Sequence, residues 1–278
     1  MFIILTSDLI IPQMKPILRN IIHTAQDIFL NVLLPKTCAG CGKANESFCE
    51  PCRFASYKNG AQCLICGFRD NTGKICRSHL GVKSDFNQQS IEIGLRRVIW
   101  VGNYNGQLKE AIWQLKYKKR KELAKPLGEL LYKKFHEIFG SPTYLGSRTS
   151  EAKNFVVIPI PLHFKKEYER GFNQAGLLAQ EFGKLSNIRC LTNALVKTRE
   201  TKAQVAVENK EARIKNLDGA FEINQKQFNH LTTQQFNNLT IVLIDDVSTT
   251  GATLIHASEA LAKAGAGDII GLVVAHGG

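Results

Sequence analysis

A chain of 278 residues, 44% of them hydrophobic, can bury a full core and hold one large or two modest domains. Its net charge of +12 favours polyanionic partners: nucleic acid, phosphorylated metabolites or anionic membrane. No apolar run approaches the length of a bilayer-crossing helix, which excludes a chain built around transmembrane spans.

The first residues, MFIILTSDLIIPQM, are apolar but lack a basic n-region and a small-residue cleavage site, so they do not read as a signal peptide. Met14 opens a more ordinary start, and residues 1–13 read as an extension. From Lys15 to Leu34, apolar residues such as Ile17, Ile21, Ala25, Ile28 and Val32 keep helical spacing, and Pro35 ends the pattern. The expected division is an N-terminal extension and amphipathic helix over 1–37, a metal module over 38–80 and a main domain over 91–278, with a polar linker near 81–90.

Seven of the eight cysteines lie between Cys38 and Cys76: three pairs with two residues between their members, Cys38/Cys41, Cys49/Cys52 and Cys63/Cys66, then Cys76 with His79 at the same spacing. A C-x-x-C knuckle brings two thiolates to one side of a tight turn, half of a tetrahedral zinc site. Cys38, Cys41, Cys49 and Cys52 make a complete four-thiolate set. Cys63, Cys66, Cys76 and His79 make a second set of three thiolates and an imidazole, and pairing across the two sets stays open. Four protein ligands leave no open position, so the zinc is expected to be structural, and folding of so short a module is expected to need it. Cys190 stands apart as a small core residue.

RRVIWVGNY (96–104) reads as a strand, followed by a helix over GQLKEAIWQLKY (106–117) with Leu108, Ile112 and Leu115 on one face. KYKKRK (116–121) holds five basic residues around Tyr117; it suits either a phosphate-tracking patch with a stacking aromatic or a solvated helix end. A second helix is expected over 121–139, with Pro126 a local problem, and a loop over 141–150. FVVIPIP (155–161) reads as a buried strand running into PLHFKKEYERGFNQA, a cationic loop, and then a helix over NQAGLLAQEFGKL. The polar, basic segment from Lys197 to Phe221 has no strong apolar period and reads as a lid able to close over a phosphate ligand. The Gln- and Asn-rich stretch 225–238 reads as a loop.

VLIDDVSTTGATL (242–254) carries the most chemistry. Ile241 to Ile244 reads as a buried strand, and ATLIHASEALAKAG as a helix ending at a Gly. Ser248, Thr249, Thr250, Gly251, Ala252 and Thr253 would then converge on a helix N-terminus at a strand's carboxyl end, a natural phosphate site. Asp245 and Asp246 would repel that phosphate unless they accept hydrogen bonds from sugar hydroxyls or face a hard cation such as Mg²⁺. A ribose 5-phosphate satisfies both demands.

This segment resembles the motif by which type I phosphoribosyltransferases bind phosphoribosyl pyrophosphate (PRPP). Together with the paired zinc knuckles, the string Arg170-Gly171-Phe172-Asn173-Gln174 and the later run Arg199, Thr201, Gln204, Arg213, Asn216, Ala220 and Phe221, the chain from about Pro35 onward resembles the ComF family, associated with natural competence. His79 stands where many members have a cysteine. The resemblance implies an α/β phosphoribosyltransferase fold, mainly a parallel sheet flanked by helices, behind a small N-terminal zinc-ribbon module. It implies a cytoplasmic setting and work on incoming single-stranded DNA, with competence machinery proteins as further partners. It also implies roles: Ser248 to Thr253 around the 5-phosphate, Asp245 and Asp246 on the ribose diol, and Mg²⁺ accompanying PRPP. Lys165, Lys166 and Arg170 are candidates to neutralise the pyrophosphate. Replacing both aspartates by Ala is expected to abolish PRPP binding and leave the fold intact. Two classes of function follow: phosphoribosyl transfer to an acceptor, or a non-catalytic DNA-binding or PRPP-sensing protein that retains the fold.

Overall fold

The computed structural model describes residues 36–58, 60–63, 69–70, 95–140, 154–200, 217, 219–229 and 233–277. The expected helix over 15–34, the linker and the 141–150 loop lie outside them, as does most of the basic segment after Lys197. In chain order the elements begin with helix α1 (Glu50–Ser56) and strands β1 (Gly60–Cys63), β2 (Arg69–Asp70) and β3 (Leu95–Asn103). Helices α2 (Gly106–Tyr117) and α3 (Ala124–Phe139) lead to β4 (Asn154–Pro159), followed by α4 (Phe164–Arg170) and α5 (Gln174–Ser186). Strands β5 (Leu195–Lys197) and β6 (Phe221–Ile223) precede α6 (Thr233–Asn237), β7 (Leu239–Ser248), α7 (Ala252–Lys263) and β8 (Asp268–His276).

Among the described residues, six strands form one sheet in the order β2-β1-β3-β8-β7-β4. β3, β8, β7 and β4 run parallel, while β1 joins β3 antiparallel. This is the expected α/β architecture, a mainly parallel sheet flanked by helices with a cysteine module at its N-terminal side. Strand β7 shows why the sheet is central. Its alternate side chains divide between two cores: Val242 and Ile244 face one, Ile241 and Leu243 the other. The first core holds α2, α3, α5 and the cysteine module. The second holds α7 and the β5–β6 hairpin.

The connection that follows β4 enters α5 on the first face, and the one that follows β7 enters α7 on the second. Adjacent parallel strands whose connections leave to opposite faces open a crevice at their carboxyl ends, the usual ligand position in such sheets. Asp245, Asp246 and the turn after Ser248 stand at this crevice.

Several local expectations are revised. Pro126 is no obstacle, because α3 starts at Ala124 and Pro126 lies in the first turn, where a helix N–H has no intrahelical partner anyway. The cationic stretch after Leu162 is the helix α4, closed by Gly171 in the left-handed region at φ 81°. The described parts of 225–238 are anchored by Phe228 and Phe236, whose buried rings meet at 4.7 Å. The ends of the expected lid are strands: Lys197 pairs with Phe221 across β5 and β6, and Leu217 and Ala220 are buried. Residues 201–216 of that segment, with the basic residues Lys202, Lys210, Arg213 and Lys215, lie outside the described residues. Cys190 is only partly buried, on the edge of β4 opposite Val157; burial pushes its thiol up to about 11.

Candidate functional site

The site is built on the last residues of β7. The strand runs further than its apolar core, to Ser248, because β8 continues to pair with it through Val247↔Ala275 and Ser248↔His276. Both aspartates are therefore strand residues, and alternation sends them to opposite faces of the sheet. Asp246 follows Val242 and Ile244 toward α2 and α5. Its carboxylate meets the Lys116 ammonium of α2 and lies 3.4 Å from the Gln174 amide of α5. Asp245 follows Ile241 and Leu243, and its Oδ1 accepts the Asp246 backbone N–H at 2.8 Å.

Both carboxyls are buried, at 8% and 3% exposure for Asp245 and Asp246. Burial opposes ionisation of each, but the neighbours differ. At Asp246 the Lys116 ammonium outweighs burial and holds the carboxyl below the ordinary range. At Asp245 burial and the adjacent Asp246 charge act together and push it well above that range. Lys116 itself is held above the ordinary lysine value, since the two aspartates outweigh its burial.

The turn that follows is Thr249–Gly251, and Ala252 opens α7 as the helical reading of ATLIHASEALAKAG expects. Gly251 is the N-cap at φ 78°, a left-handed conformation that glycine adopts without strain. Gly251 offers no capping side chain and the first turn has no acid, so the positive end of the helix dipole meets no carboxylate of its own helix. Ser248 is buried, with its carbonyl accepting the Gly277 N–H at 2.9 Å, and Thr250 Oγ1 lies 3.4 Å from the Ala252 N–H.

The cations divide. Lys165 is exposed and paired at 2.8 Å with Glu200. Lys166 is half-buried and its charge reaches Lys197 on β5. Burial and Lys166 lower the Lys197 ammonium to about 8, against the pull of Asp245. Arg170 donates to the Gln174 side-chain oxygen and lies over the Tyr117 ring at 5.6 Å. Arg170 thus reaches the aspartates through Gln174, whereas Lys165 points elsewhere.

Lys116, Gln174 and Lys197 lie outside the segment 242–254, although Gln174 closes the Arg170–Gln174 string. Lys116 belonged to the KYKKRK run, but that run does not act as one patch. Arg120 bonds Gln114, Glu122 and the Thr37 carbonyl, and Lys121 lies over Phe172. The helical period carries the signal for Lys116: it is four residues beyond Ile112 and eight beyond Leu108, so it extends the buried face of α2.

The second candidate centre is the cysteine cluster. The Sγ atoms of Cys38, Cys41, Cys49 and Cys52 all lie within 4.8 Å of one another, with Cys38 to Cys49 at 3.5 Å and Cys41 to Cys49 at 3.6 Å. Thiolates at a tetrahedral zinc stand about 3.8 Å apart, as Zn–S bonds of about 2.3 Å require. Burial alone would raise the Cys38 thiol, yet backbone N–H groups of Cys49, Cys41 and Gly40 bring it down to about 6. Those N–H groups favour the thiolate, the form a metal needs. These four residues can hold a structural metal such as zinc. Of the second set, Cys63 ends β1, and its side chain together with Cys66, Cys76 and His79 lies outside the described residues.

No family model matches the chain. It is 27% identical to competence protein F of Haemophilus influenzae over 233 residues, which are 84% of this chain and 86% of that protein. It is also 27% identical to competence protein ComFC of Bacillus subtilis, over 80% of this chain and 81% of the relative. DNA utilization protein YhgH of Escherichia coli is 29% identical over 63% of this chain and 69% of its own length.

Proposed function

We propose that the chain, similar along most of its length to competence proteins F and ComFC, belongs to the ComF family and acts in DNA uptake as a PRPP-binding phosphoribosyltransferase. The observation that carries this is the pair Asp245–Asp246 at the end of β7, followed after a three-residue turn by the acid-free N-terminus of α7. The α7 N-terminus, with Ser248, Thr249, Thr250, Gly251, Ala252 and Thr253, receives the 5-phosphate. Asp245 and Asp246 accept from the ribose hydroxyls. Lys116, Lys166, Lys197 and, through Gln174, Arg170 ring this crevice with positive charge that suits a diphosphate. Asp245 and Asp246 would also suit a hard cation such as Mg²⁺ accompanying PRPP, which would supply neutralisation of the leaving group.

In the transfer, the bond from the sugar C1 to the diphosphate oxygen breaks with its electron pair on the diphosphate, and an acceptor nucleophile bonds to C1. Negative charge grows on the diphosphate and positive character on the ring. The protein's task is to place these charges opposite its cations and carboxylates. Calorimetric titration of zinc-loaded protein with PRPP and Mg²⁺, against ribose 5-phosphate, tests the reading. Mg²⁺-dependent binding that prefers PRPP is the expected result. No binding by well-folded protein would sink it, and leave the non-catalytic readings.

DNA contact has its own support. Trp113 and Tyr117 are 38% and 61% exposed on α2, with rings 6.0 Å apart. Lys118 lies over Trp113 at 5.3 Å and Arg170 over Tyr117 at 5.6 Å. Exposed rings flanked by cations suit stacked bases of single-stranded DNA, at about 1–3 kcal/mol per base. Affinity for an oligonucleotide should fall steeply with salt, and Trp113→Ala with Tyr117→Ala should weaken it further; a flat salt response speaks against this contact. Zinc at Cys38, Cys41, Cys49 and Cys52 serves the fold, and Cys63, Cys66, Cys76 and His79 are assigned a second zinc. A cytoplasmic setting belongs to the same reading. No helix among the described residues is long and apolar enough to cross a membrane.

A further inference from the structure

We propose that Lys116 is the residue by which the site distinguishes a ribose phosphate that carries a diphosphate from one that does not. The ammonium pairs with Asp246 when the site is empty and passes to the diphosphate when it fills. This rests on the PRPP reading of the site.

The argument starts from burial. The side chains of Lys116 and Asp246 are 17% and 4% exposed, so neither charge is left to bulk water. A buried ion pair stabilises a fold little compared with apolar packing, but removal of one partner leaves the other charge stranded at high cost. A ligand whose hydroxyls donate to Asp246 competes with Lys116 for the same carboxylate. That competition favours binding only if the ligand brings a replacement anion for the ammonium. Ribose 5-phosphate has one phosphate, which the α7 N-terminus takes. PRPP has in addition a diphosphate on C1, on the same sugar as the diol.

The other cations are less suited to this exchange. Lys165 is held by Glu200 at the surface, and Arg170 meets Asp246 only through Gln174. Among the described residues, Lys116 is the cation in direct contact with the aspartate pair.

The test is the ratio of affinities for PRPP and ribose 5-phosphate, by calorimetry on zinc-loaded full chain with Mg²⁺. In Lys116→Met, PRPP affinity should fall about tenfold or more, as for loss of a charged hydrogen bond, while ribose 5-phosphate changes less than about threefold. Lys116→Gln keeps an amide donor for Asp246 without the charge. It repeats the measurement in a site whose carboxylate still has a partner, and a thermal melt of each variant confirms the fold. Loss of the PRPP preference in the folded variant establishes the assignment. A preference that survives, or an equal loss for both ligands, overturns it and leaves the PRPP site standing. Wild-type protein that binds neither ligand removes the PRPP reading itself, and this inference with it.

Discussion

Asp245 and Asp246 are neighbours on one strand with opposite electrostatic conditions, and the difference makes them respond differently to substitution. Asp246 is the counter-ion of Lys116, so Asp246→Ala strands a buried ammonium and should cost about 3–5 kcal/mol. The double alanine variant is therefore no clean probe of binding. Asp245→Asn is cleaner: the amide oxygen still accepts the Asp246 N–H, while the charge facing Asp246 is gone. A carboxyl whose folded pKa is raised loses its stabilising contribution as pH climbs above its unfolded value, so the wild type carries this penalty at neutral pH. Asp245→Asn should raise Tm at pH 7, by roughly 2–4 °C per kcal/mol relieved, and abolish PRPP binding; an unchanged or lower Tm contradicts the proposed strain. Lys197 works in the opposite sense. Its ammonium is lowered to about 8, so between about pH 8 and the ordinary lysine value the unfolded chain holds the proton more tightly. Stability should rise with pH in that window and anion affinity should fall, and Lys197→Met should flatten both in denaturant titrations and calorimetry at pH 7.5 and 9.5.

At the scale of elements, the cysteine module is locked to the sheet by close backbone approach. β1 pairs with β3, and α1 packs on α2 and β3. A Cβ at Gly102 would overlap the Ser56 carbonyl at the end of α1, so only glycine lets α1 settle there. Gly102→Ala should lower stability by about 1–3 kcal/mol through this overlap, read as a lower urea midpoint, with the zinc content of the folded protein unchanged. Loss of zinc from folded Gly102→Ala protein would show instead that the cluster depends on α1 position.

For the whole molecule, the cysteine module and the main domain share one hydrophobic core. Cys38, Cys49, Cys52 and Phe48 are buried with Leu108, Ile112 and Leu115 of α2, the helix that carries Lys116. Arg53 to Glu129 and Arg120 to the Thr37 carbonyl add polar ties at 2.5 and 2.7 Å. Removal of zinc should therefore destabilise the α/β domain as well as the module. Chelation should lower the single thermal transition by about 6–12 °C, the equivalent of about 3 kcal/mol, and weaken PRPP binding through α2. A two-step melt with an unshifted upper transition would show that the module is energetically separate.

The local features were legible in the residues because their causes are local. Two-residue cysteine spacing, the apolar run at Ile241 to Ile244, the helical period of α2 and the small-residue turn at Thr249 to Gly251 each express chemistry within one segment. The extent of β7 to Ser248 was not, because β8 pairing supplies it over residues of low strand preference. Nor were α4 within the cationic stretch or the role of Phe228 and Phe236 as anchors. Above all, charge in KYKKRK looked like surface because like residues in a row suggest one solvated patch. Packing separates them: the face of α2 that buries Leu108 and Ile112 takes Lys116 inward, 130 positions away in sequence from the Asp246 that it neutralises. Motif and spacing raise the expectation of a phosphate-and-diol site. Which cation serves it is set by long-range packing, for only the fold brings a lone buried ammonium to a carboxylate that would otherwise be too costly to ionise.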